Sequence, residues 1–254
     1  MTVQDPRTGW LEFDVYLRLI RADSDRLAEV GRLGLDADVP TCPDWTVGDL
    51  LDHMGHVYLH KVKWLRDGSR PDPWPPPELA DRDPAELFDE ATAAILAELE
   101  SRNPNEPAET IWDAEQSVGF WYRRMALEVA VHRYDAELAH DVPTAIDAPL
   151  ATDGIDEALC AVLGGESWDD FDSDYPLDDR IRVTSGGRSW TVTADLRKIT
   201  VVEGDTGPVG IEIAGAPEDV FLWLWGRRDA DTLAVTGDQE LAEAFRLRLA
   251  EAMG

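Results

Sequence analysis

A glutamate and a histidine four residues apart form the first pattern that could do chemistry. Glu128 and His132 lie in a stretch with helical periodicity, where positions i and i+4 point to the same side. On a helical wheel the two lie between two apolar stripes, so both would be buried. Burying a carboxylate and an imidazole is costly without a partner, and a divalent metal ion is one such partner. The same spacing also fits a purely structural hydrogen bond.

A third ligand for such a metal could come from an earlier helix that carries three histidines. His53 lies closest to the apolar face of that helix and is preferred to His60, whereas His56 points to the opposite side. Two histidines and a glutamate would leave a fourth coordination position open, as catalytic zinc sites do. Asp49 and Asp135 are candidates for orienting the two histidines.

Other residues around this pattern have competing interpretations. Arg124 lies near the same helix edge, where it could neutralise Glu128 or contact a substrate. Trp121 could wall a pocket beside Glu128 or belong to the core. The remaining predictions concern polar residues expected at the surface: His56, His60 and His140 as solvated histidines, and Arg123, Arg133 and Glu137 as the polar side of the helix.

Helices separated by proline-rich breaks are predicted for the first part of the chain. They span residues 11–31, 46–65, 83–100 and 117–139. Thr46 and Asp49 have the spacing of a capping box, and Asp83 followed by Pro84 is a favourable helix start. Four helices of this length indicate a four-helix bundle.

After residue 143 the pattern changes to short alternating runs. Strands are predicted at residues 180–184, 189–193, 199–202 and 209–213, and helices at residues 155–163, 217–227 and 239–253. Gly186 and Gly187, between the first two strands, are a hairpin signal. The predicted fold class is α+β overall, with a helical bundle at residues 1–145 and a small α+β domain with a mainly antiparallel sheet at residues 146–254.

Composition argues against several classes of partner. The 254 residues include 52 acidic and 23 basic ones, and the resulting net charge of -29 repels nucleic acid and anionic membrane surfaces. No apolar run approaches the roughly 20 residues of a membrane helix. Residues 1–6 lack the pattern of a secretory signal, so a cytoplasmic protein is predicted. Cys42 and Cys160 form no Cys-x-x-Cys pair, so any thiol chemistry must come from a ligand.

Two segments give the chain a family resemblance. Residues 39–53 read VPTCPDWTVGDLLDH, and residues 121–137 read WYRRMALEVAVHRYDAE. Both resemble the actinobacterial maleylpyruvate isomerase family of mycothiol-dependent enzymes. Residues 222–228, LWLWGRR, resemble the second domain of that family. The resemblance extends over residues 11–250.

The resemblance implies a DinB-like four-helix bundle followed by a sterol-carrier-like domain. It also implies a divalent metal ion, usually zinc, held by one histidine of the second helix and a Glu-x-x-x-His pair of the fourth. Carried over position by position, these ligands are His53, Glu128 and His132. They are the three residues that the helical wheel also selects.

The implied chemistry is addition of a thiolate to an electrophilic small molecule. The thiol of mycothiol would take the open metal position and lose its proton, because the cation stabilises the thiolate. With a maleylpyruvate-type cis enedioate, addition creates a single bond that rotates, and expulsion of the thiolate gives the trans isomer. With a leaving group on the substrate, the result is S-transfer. Arg227, Arg228 and Arg124 are candidate contacts to an anionic substrate, and Trp121 is a candidate wall of the cofactor pocket.

Two other functions are compatible with the same residues. A hydrolase would use the metal to lower the pKa of bound water toward 7, and its activity would not need a thiol. A non-catalytic module would bind an apolar ligand in the second domain and use the bundle for assembly or regulation. In that case no metal would copurify, and His132→Ala would leave ligand binding and stability almost unchanged.

Overall fold

Two compact units make up the computed structural model, and the chain passes from one to the other between Ala145 and Ile146. The structure describes residues 5–165, 174–194 and 199–253. Residues 1–4, part of the segment on which the localisation prediction rests, lie outside the described residues. Within the described residues, no helix is long and apolar enough to cross a membrane.

The first unit contains the four predicted helices. They are α1 (Phe13–Gly31), α2 (Val47–Asp67), α3 (Pro84–Glu100) and α4 (Val118–Ala139). Local signals fix their ends, because Thr46 and Asp49 form the predicted capping box of α2 and the Asp83 side chain caps α3. Gly68 ends α2 in the left-handed region, at φ 72°. All four predicted helices are confirmed, with ends within two residues.

Helix α4 is the central helix of this unit, since 18 of its 22 residues are buried. The prediction that Arg123, Arg133 and Glu137 form a solvent-facing side is therefore wrong, because all three are buried. A helix surrounded by neighbours has no solvent face, so its polar residues must find partners inside. Glu137 accepts hydrogen bonds from Arg133 at 2.6 Å and from Arg26 at 2.7 Å.

The second unit is the predicted small α+β domain. Its elements are α5 (Ala148–Asp156), a π-helical continuation (Glu157–Leu163), β1 (Ile181–Ser185), β2 (Arg188–Ala194), β3 (Ile199–Glu203), β4 (Ile211–Ala214), α6 (Pro217–Leu224), β5 (Ala234–Gly237) and α7 (Gln239–Met253). Within the described residues, five strands are arranged in the order β3-β2-β1-β4-β5, and every pair is antiparallel except β1 with β4. The predicted α+β fold class is confirmed.

The differences within this unit have local causes. Gly186 and Gly187 form the predicted hairpin turn, with φ of 58° and 79°. Strand β5 was not predicted, because Ala234–Gly237 is short, mostly exposed and lacks an apolar alternation. The helix predicted at residues 155–163 begins earlier, at Ala148, where the Asp147 side chain caps it.

Candidate functional site

The three predicted metal ligands lie together between α2 and α4. Nε2 of His53 and Nε2 of His132 each lie 3.7 Å from Oε1 of Glu128. One potential ligand atom from each residue lies within 4.8 Å of the other two. The two histidines come from different helices, and their ring centroids are 5.0 Å apart. The bundle thus brings two imidazoles and a carboxylate to one point.

The orientation of His132 is fixed by a buried aspartate one turn further along α4. Oδ2 of Asp135, whose side chain is fully buried, lies 3.1 Å from Nδ1 of His132. Oδ1 of Asp135 accepts a hydrogen bond of 2.6 Å from the Thr41 hydroxyl. Because a carboxylate accepts the proton of Nδ1, Nε2 of His132 is directed toward Glu128, where it could bind a metal after losing its own proton.

Asp49, the other residue predicted to orient a histidine, caps helix α2 instead. Its carboxylate accepts hydrogen bonds from the backbone and hydroxyl of Thr46, at 2.8 and 2.6 Å. These bonds lower the pKa of Asp49. Asp49 is exposed and belongs to the helix cap, so its prediction as an orienting group for His53 is wrong.

The loop before α2 carries an aromatic neighbour of both histidines. The ring centroid of Trp45 lies 5.0 Å from that of His53 and 6.4 Å from that of His132. Two backbone hydrogen bonds hold the loop closed, from Trp45 N to the Cys42 carbonyl and from Val39 N to the Trp45 carbonyl. Sequence reasoning gave Trp45 no individual role. Its position directly before the cap of α2 is the signal that could have placed it beside His53.

Glu128 divides its two oxygens between a cation and the histidines. Arg124 donates a hydrogen bond to Oε2, while Oε1 faces both imidazoles. Burial acts to raise the pKa of Glu128, but the charge of Arg124 and the hydrogen bonds of His132 and His53 outweigh it and hold the pKa well below its usual range. Glu128 is therefore ionised at neutral pH and presents one oxygen as a ligand.

His132 is held as an imidazolium by its acidic neighbours when no metal ion is bound. Burial acts to lower the pKa of His132, but the hydrogen bonds and charges of Asp135 and Glu128 raise it to about 9. A metal ion would take the place of the proton between His132 and Glu128, because both positions call for positive charge. The donor set, two nitrogens and one carboxylate oxygen, fits zinc and its neighbours in affinity.

The remaining histidines lie away from this cluster. His60 is buried, so its prediction as a surface residue is wrong, and its ring packs against Trp64 and Trp74. His56 is half-buried, with Nδ1 2.9 Å from the Asp52 carbonyl oxygen. His140 is also half-buried, with Nε2 3.0 Å from the Gly34 carbonyl oxygen. The choice of His53 over His60 agrees with this arrangement.

Trp121 lies in the core and not at an open pocket. Its side chain has 0% exposure, and its ring packs against those of Trp64 and Phe120. Its indole nitrogen donates to the Glu109 carbonyl at 3.2 Å. A ring without exposure cannot form the solvent-accessible wall of a cofactor pocket, so that prediction is corrected. Trp45, which is only half-buried, is the aromatic residue beside the cluster.

Both halves of the chain match models of one family. Residues 17–137 match the mycothiol maleylpyruvate isomerase N-terminal domain, and residues 149–244 match the MDMPI C-terminal domain. The chain belongs to the mycothiol maleylpyruvate isomerase family. Comparison with curated proteins gave no match.

Solved structures agree with this family at the level of the fold. A crystal structure of the mycothiol-dependent maleylpyruvate isomerase matches with a TM-score of 0.59 and 12% identity, covering 92% of this chain and 96% of that one. A second structure of that enzyme, with one histidine replaced by alanine, gives the same values. A UbiJ-SCP2 ubiquinone synthesis protein matches 43% of this chain and 97% of its own with 19% identity, at a TM-score of 0.31 that decides nothing. At these identities the likeness shows the fold alone.

The family's second domain also contains the two arginines predicted to contact substrate. Arg228 pairs with Asp219 and, at 3.3 Å, with Glu218, both at the start of α6. Arg227 donates to the Trp225 carbonyl at 2.8 Å. These local contacts hold both side chains near the end of α6. Their contact with a substrate stays a prediction.

Proposed function

We propose that this chain is a metal- and mycothiol-dependent enzyme in which a thiolate attacks an electrophilic small molecule. The reaction is a maleylpyruvate-type cis-trans isomerisation or a thiol S-transfer. The observation that best supports the proposal is the convergence of His53, Glu128 and His132, with ligand atoms within 4.8 Å of one another. Membership of the mycothiol maleylpyruvate isomerase family supports thiol in preference to water as the reactant.

His53, Glu128 and His132 would hold a divalent metal ion of the zinc type. When bound, such an ion lowers the pKa of a coordinated thiol, so that a thiolate forms at neutral pH. Three protein ligands leave a coordination position for that thiol. Neither cysteine of the chain belongs to the cluster of ligands, so the nucleophile is assigned to the cosubstrate.

The chain's own residues prepare this position in three ways. Asp135 keeps Nε2 of His132 aimed at the cluster, and Thr41 holds Asp135 through its second oxygen. Arg124 occupies Oε2 of Glu128, which leaves Oε1 for the cluster. The ring of Trp45 packs beside that of His53, with centroids 5.0 Å apart, and the His53 side chain remains 35% exposed. A thiol would therefore approach on the exposed side of His53.

The proposal is tested by the thiol dependence of turnover. Purified protein is incubated with maleylpyruvate, with and without mycothiol, and the alkene protons are followed by NMR. A second series replaces the enedioate by electrophiles with a leaving group, and the S-conjugate is detected by mass spectrometry. We expect conversion only with mycothiol, and none with His53→Ala.

His56→Ala is the matched control, because His56 lies on the same helix and its ring contacts Asp52 and not the ligand cluster. This variant is expected to turn over like the parent. Conversion that proceeds equally well without thiol would contradict the proposal and favour the hydrolase. Absence of conversion with every electrophile and thiol would favour the non-catalytic module.

A further inference from the structure

The line along which α2 and α4 meet carries a second polar group beyond the three ligands. The helices run antiparallel here, since His53 lies beside His132 at one end and Trp64 lies beside Trp121 at the other. Lys61 lies on α2 between these ends, two turns after His53 and about 12 Å further along the helix axis. Its ammonium nitrogen lies 5.2 Å from the ring centroids of both Trp64 and Trp121.

Lys61 differs from most cations of the first unit in having no carboxylate partner. Within the described residues, the cations paired with carboxylates in this unit include Arg7, Arg21, Arg26, Lys63, Arg66, Arg102, Arg124 and Arg133. Lys61 forms no such pair among the described residues, although the chain has 52 acidic side chains to choose from. The two indole faces stabilise its charge only in part.

The charged groups that act on Lys61 are cations, apart from the proposed metal ligand Glu128. Burial lowers the pKa of Lys61 to about 8, and the charges of Arg124 and Arg70 act in the same direction while that of Glu128 opposes them. At neutral pH the ammonium form still predominates. Arg124 and Arg70 thus bring two further cations near Lys61 in a chain whose net charge is -29. Arg124 is paired with Glu128, whereas Lys61 and Arg70 form no ion pair among the described residues, so an anion would be a suitable partner for these two.

The hydrogen bonds of Lys61 leave donors available for that anion. Burial and the cations Lys61 and Arg70 lower the pKa of His60 to about 4, so the ring is neutral. Its Nδ1, 3.1 Å from the Lys61 nitrogen, accepts one hydrogen bond. An ammonium group has three N–H donors, and His60 is its one hydrogen-bond acceptor among the described residues.

An opening next to His60 could admit a small ligand to this region. A cavity of about 550 Å³ is lined by His60, Arg70, Pro71, Asp72 and Trp74. That volume is within the range of small-molecule sites. Arg70 is exposed at its rim and makes no ion pair with a carboxylate of the described residues. Its guanidinium lies 6.0 Å from the ring of Trp64, on which Lys61 also rests.

We propose that Lys61, with Arg70 and Arg124 beside it, binds a carboxylate group of the electrophilic substrate. The inference deepens the function proposed above and rests on it, because it assigns a residue that would hold one carboxylate of the enedioate substrate. The ammonium group of Lys61 rests on Trp121, about two turns before Glu128 on α4, and the charge of Glu128 acts on it, so Lys61 lies along the side of α4 that carries the proposed ligands. One end of the substrate would be held by Lys61 while its reactive carbon lies toward the metal ligands.

The test is a calorimetric titration of the purified full-length protein with maleate and with its uncharged diamide. The parent should bind maleate at least tenfold more tightly than the diamide. Lys61→Met should weaken maleate binding by at least tenfold and leave diamide binding unchanged. Lys61→Arg, which keeps the charge, should retain most of the affinity.

Lys63→Met is the matched control, because Lys63 is an exposed lysine on the same helix that pairs with Asp67. It should bind maleate like the parent. Arg70→Met provides a second variant whose folding is not in question, since Arg70 is exposed, and it should weaken maleate binding about threefold. The urea midpoint and the metal content of each preparation are measured in parallel, so a lost ion is not mistaken for a lost anion site.

The outcomes separate this inference from the proposed function. Equal maleate affinity in the parent and in folded Lys61→Met would overturn the inference. A parent that binds the diamide and maleate with equal affinity, or binds neither compound, would also overturn it. If turnover depends on thiol but maleate binding does not depend on Lys61, the proposed function is supported and the carboxylate site at Lys61 is contradicted. Lys61-dependent maleate binding in a protein without turnover would support the carboxylate site and contradict the proposed function.

Discussion

Oδ2 of Asp135 lies 3.1 Å from Nδ1 of His132, and Oδ1 of the same side chain accepts a hydrogen bond from the Thr41 hydroxyl. The aspartate is fully buried, and its position on α4 is one turn from the histidine that it orients. Three parts of the chain therefore meet at this point, namely the loop before α2, α4 and, through His53, α2 itself. The proposed metal centre depends on this support as much as on its ligands.

Removing the charge of Asp135 should weaken the metal centre without removing a ligand. Asp135→Asn keeps the shape of the side chain but no longer stabilises the orientation and charge of His132. Zinc affinity should fall about 10- to 100-fold, as is typical for partners of metal-bound histidines. The measurement is a competition titration with a chromogenic chelator.

Asp49→Asn is the matched control for that experiment. Asp49 lies four residues from His53, much as Asp135 lies three residues from His132, but it caps α2 through Thr46. Its replacement should reduce the free energy of unfolding by about 1 kcal/mol and leave zinc affinity unchanged. Equal losses of zinc affinity in the two variants would show that Asp135 has no special role.

Zinc affinity should depend on pH because His132 must lose a proton to become a ligand. Asp135 and Glu128 raise the pKa of His132 to about 9 against the opposing effect of burial. Below that pH each binding event displaces this proton, so the apparent affinity should fall about tenfold for each pH unit below 9. Chelator competition between pH 6.5 and 8.5 checks this slope, and a flat profile would contradict the assigned charge state.

The buried acid of α4 should be important for stability. Glu137 is fully buried and bonds to Arg133, Arg26 and the Thr144 backbone. Glu137→Gln would leave the buried Arg133 with Asp23 as its remaining carboxylate partner in the described residues, and should lower the free energy of unfolding by about 3 kcal/mol. Urea unfolding followed by circular dichroism measures the change.

An exposed pair of the same chemistry provides the comparison. Glu100 pairs with Arg21 at 2.8 Å, and both side chains are at least half exposed. Glu100→Gln should change the free energy of unfolding by less than about 1 kcal/mol, because solvent screens such pairs. Similar losses in the two variants would mean that burial of Glu137 does not determine its contribution.

Local sequence signals were sufficient for most elements and for the three proposed ligands. The capping box of Thr46 and the Asp83-Pro84 start depend on neighbours in the chain, and the structure has them where the spacing indicates. Glu128 and His132 share a helix face for the same local reason. The family resemblance independently led to the same three residues, and the matches to family models over residues 17–137 and 149–244 support that resemblance.

Local sequence signals did not predict the contacts between helices and loops. A helical wheel classifies Arg133 and Glu137 as polar but does not reveal that neighbouring helices surround them. Spacing alone also allowed both Asp49 and Asp135 to orient a histidine, and only the packing distinguishes them. The approach of Trp45 to His53, and of Lys61 to Trp121, joins segments that no periodicity relates.

The central claim is that His53, Glu128 and His132 hold a metal ion, and metal content tests it most directly. Tag-free protein and the variants His53→Ala, His132→Ala and His56→Ala are offered zinc, freed of excess and analysed by plasma mass spectrometry. The account predicts about one ion per chain in the parent and in His56→Ala, and almost none in the other two variants. A folded parent that stays metal-free, or variants that keep the ion, would contradict it.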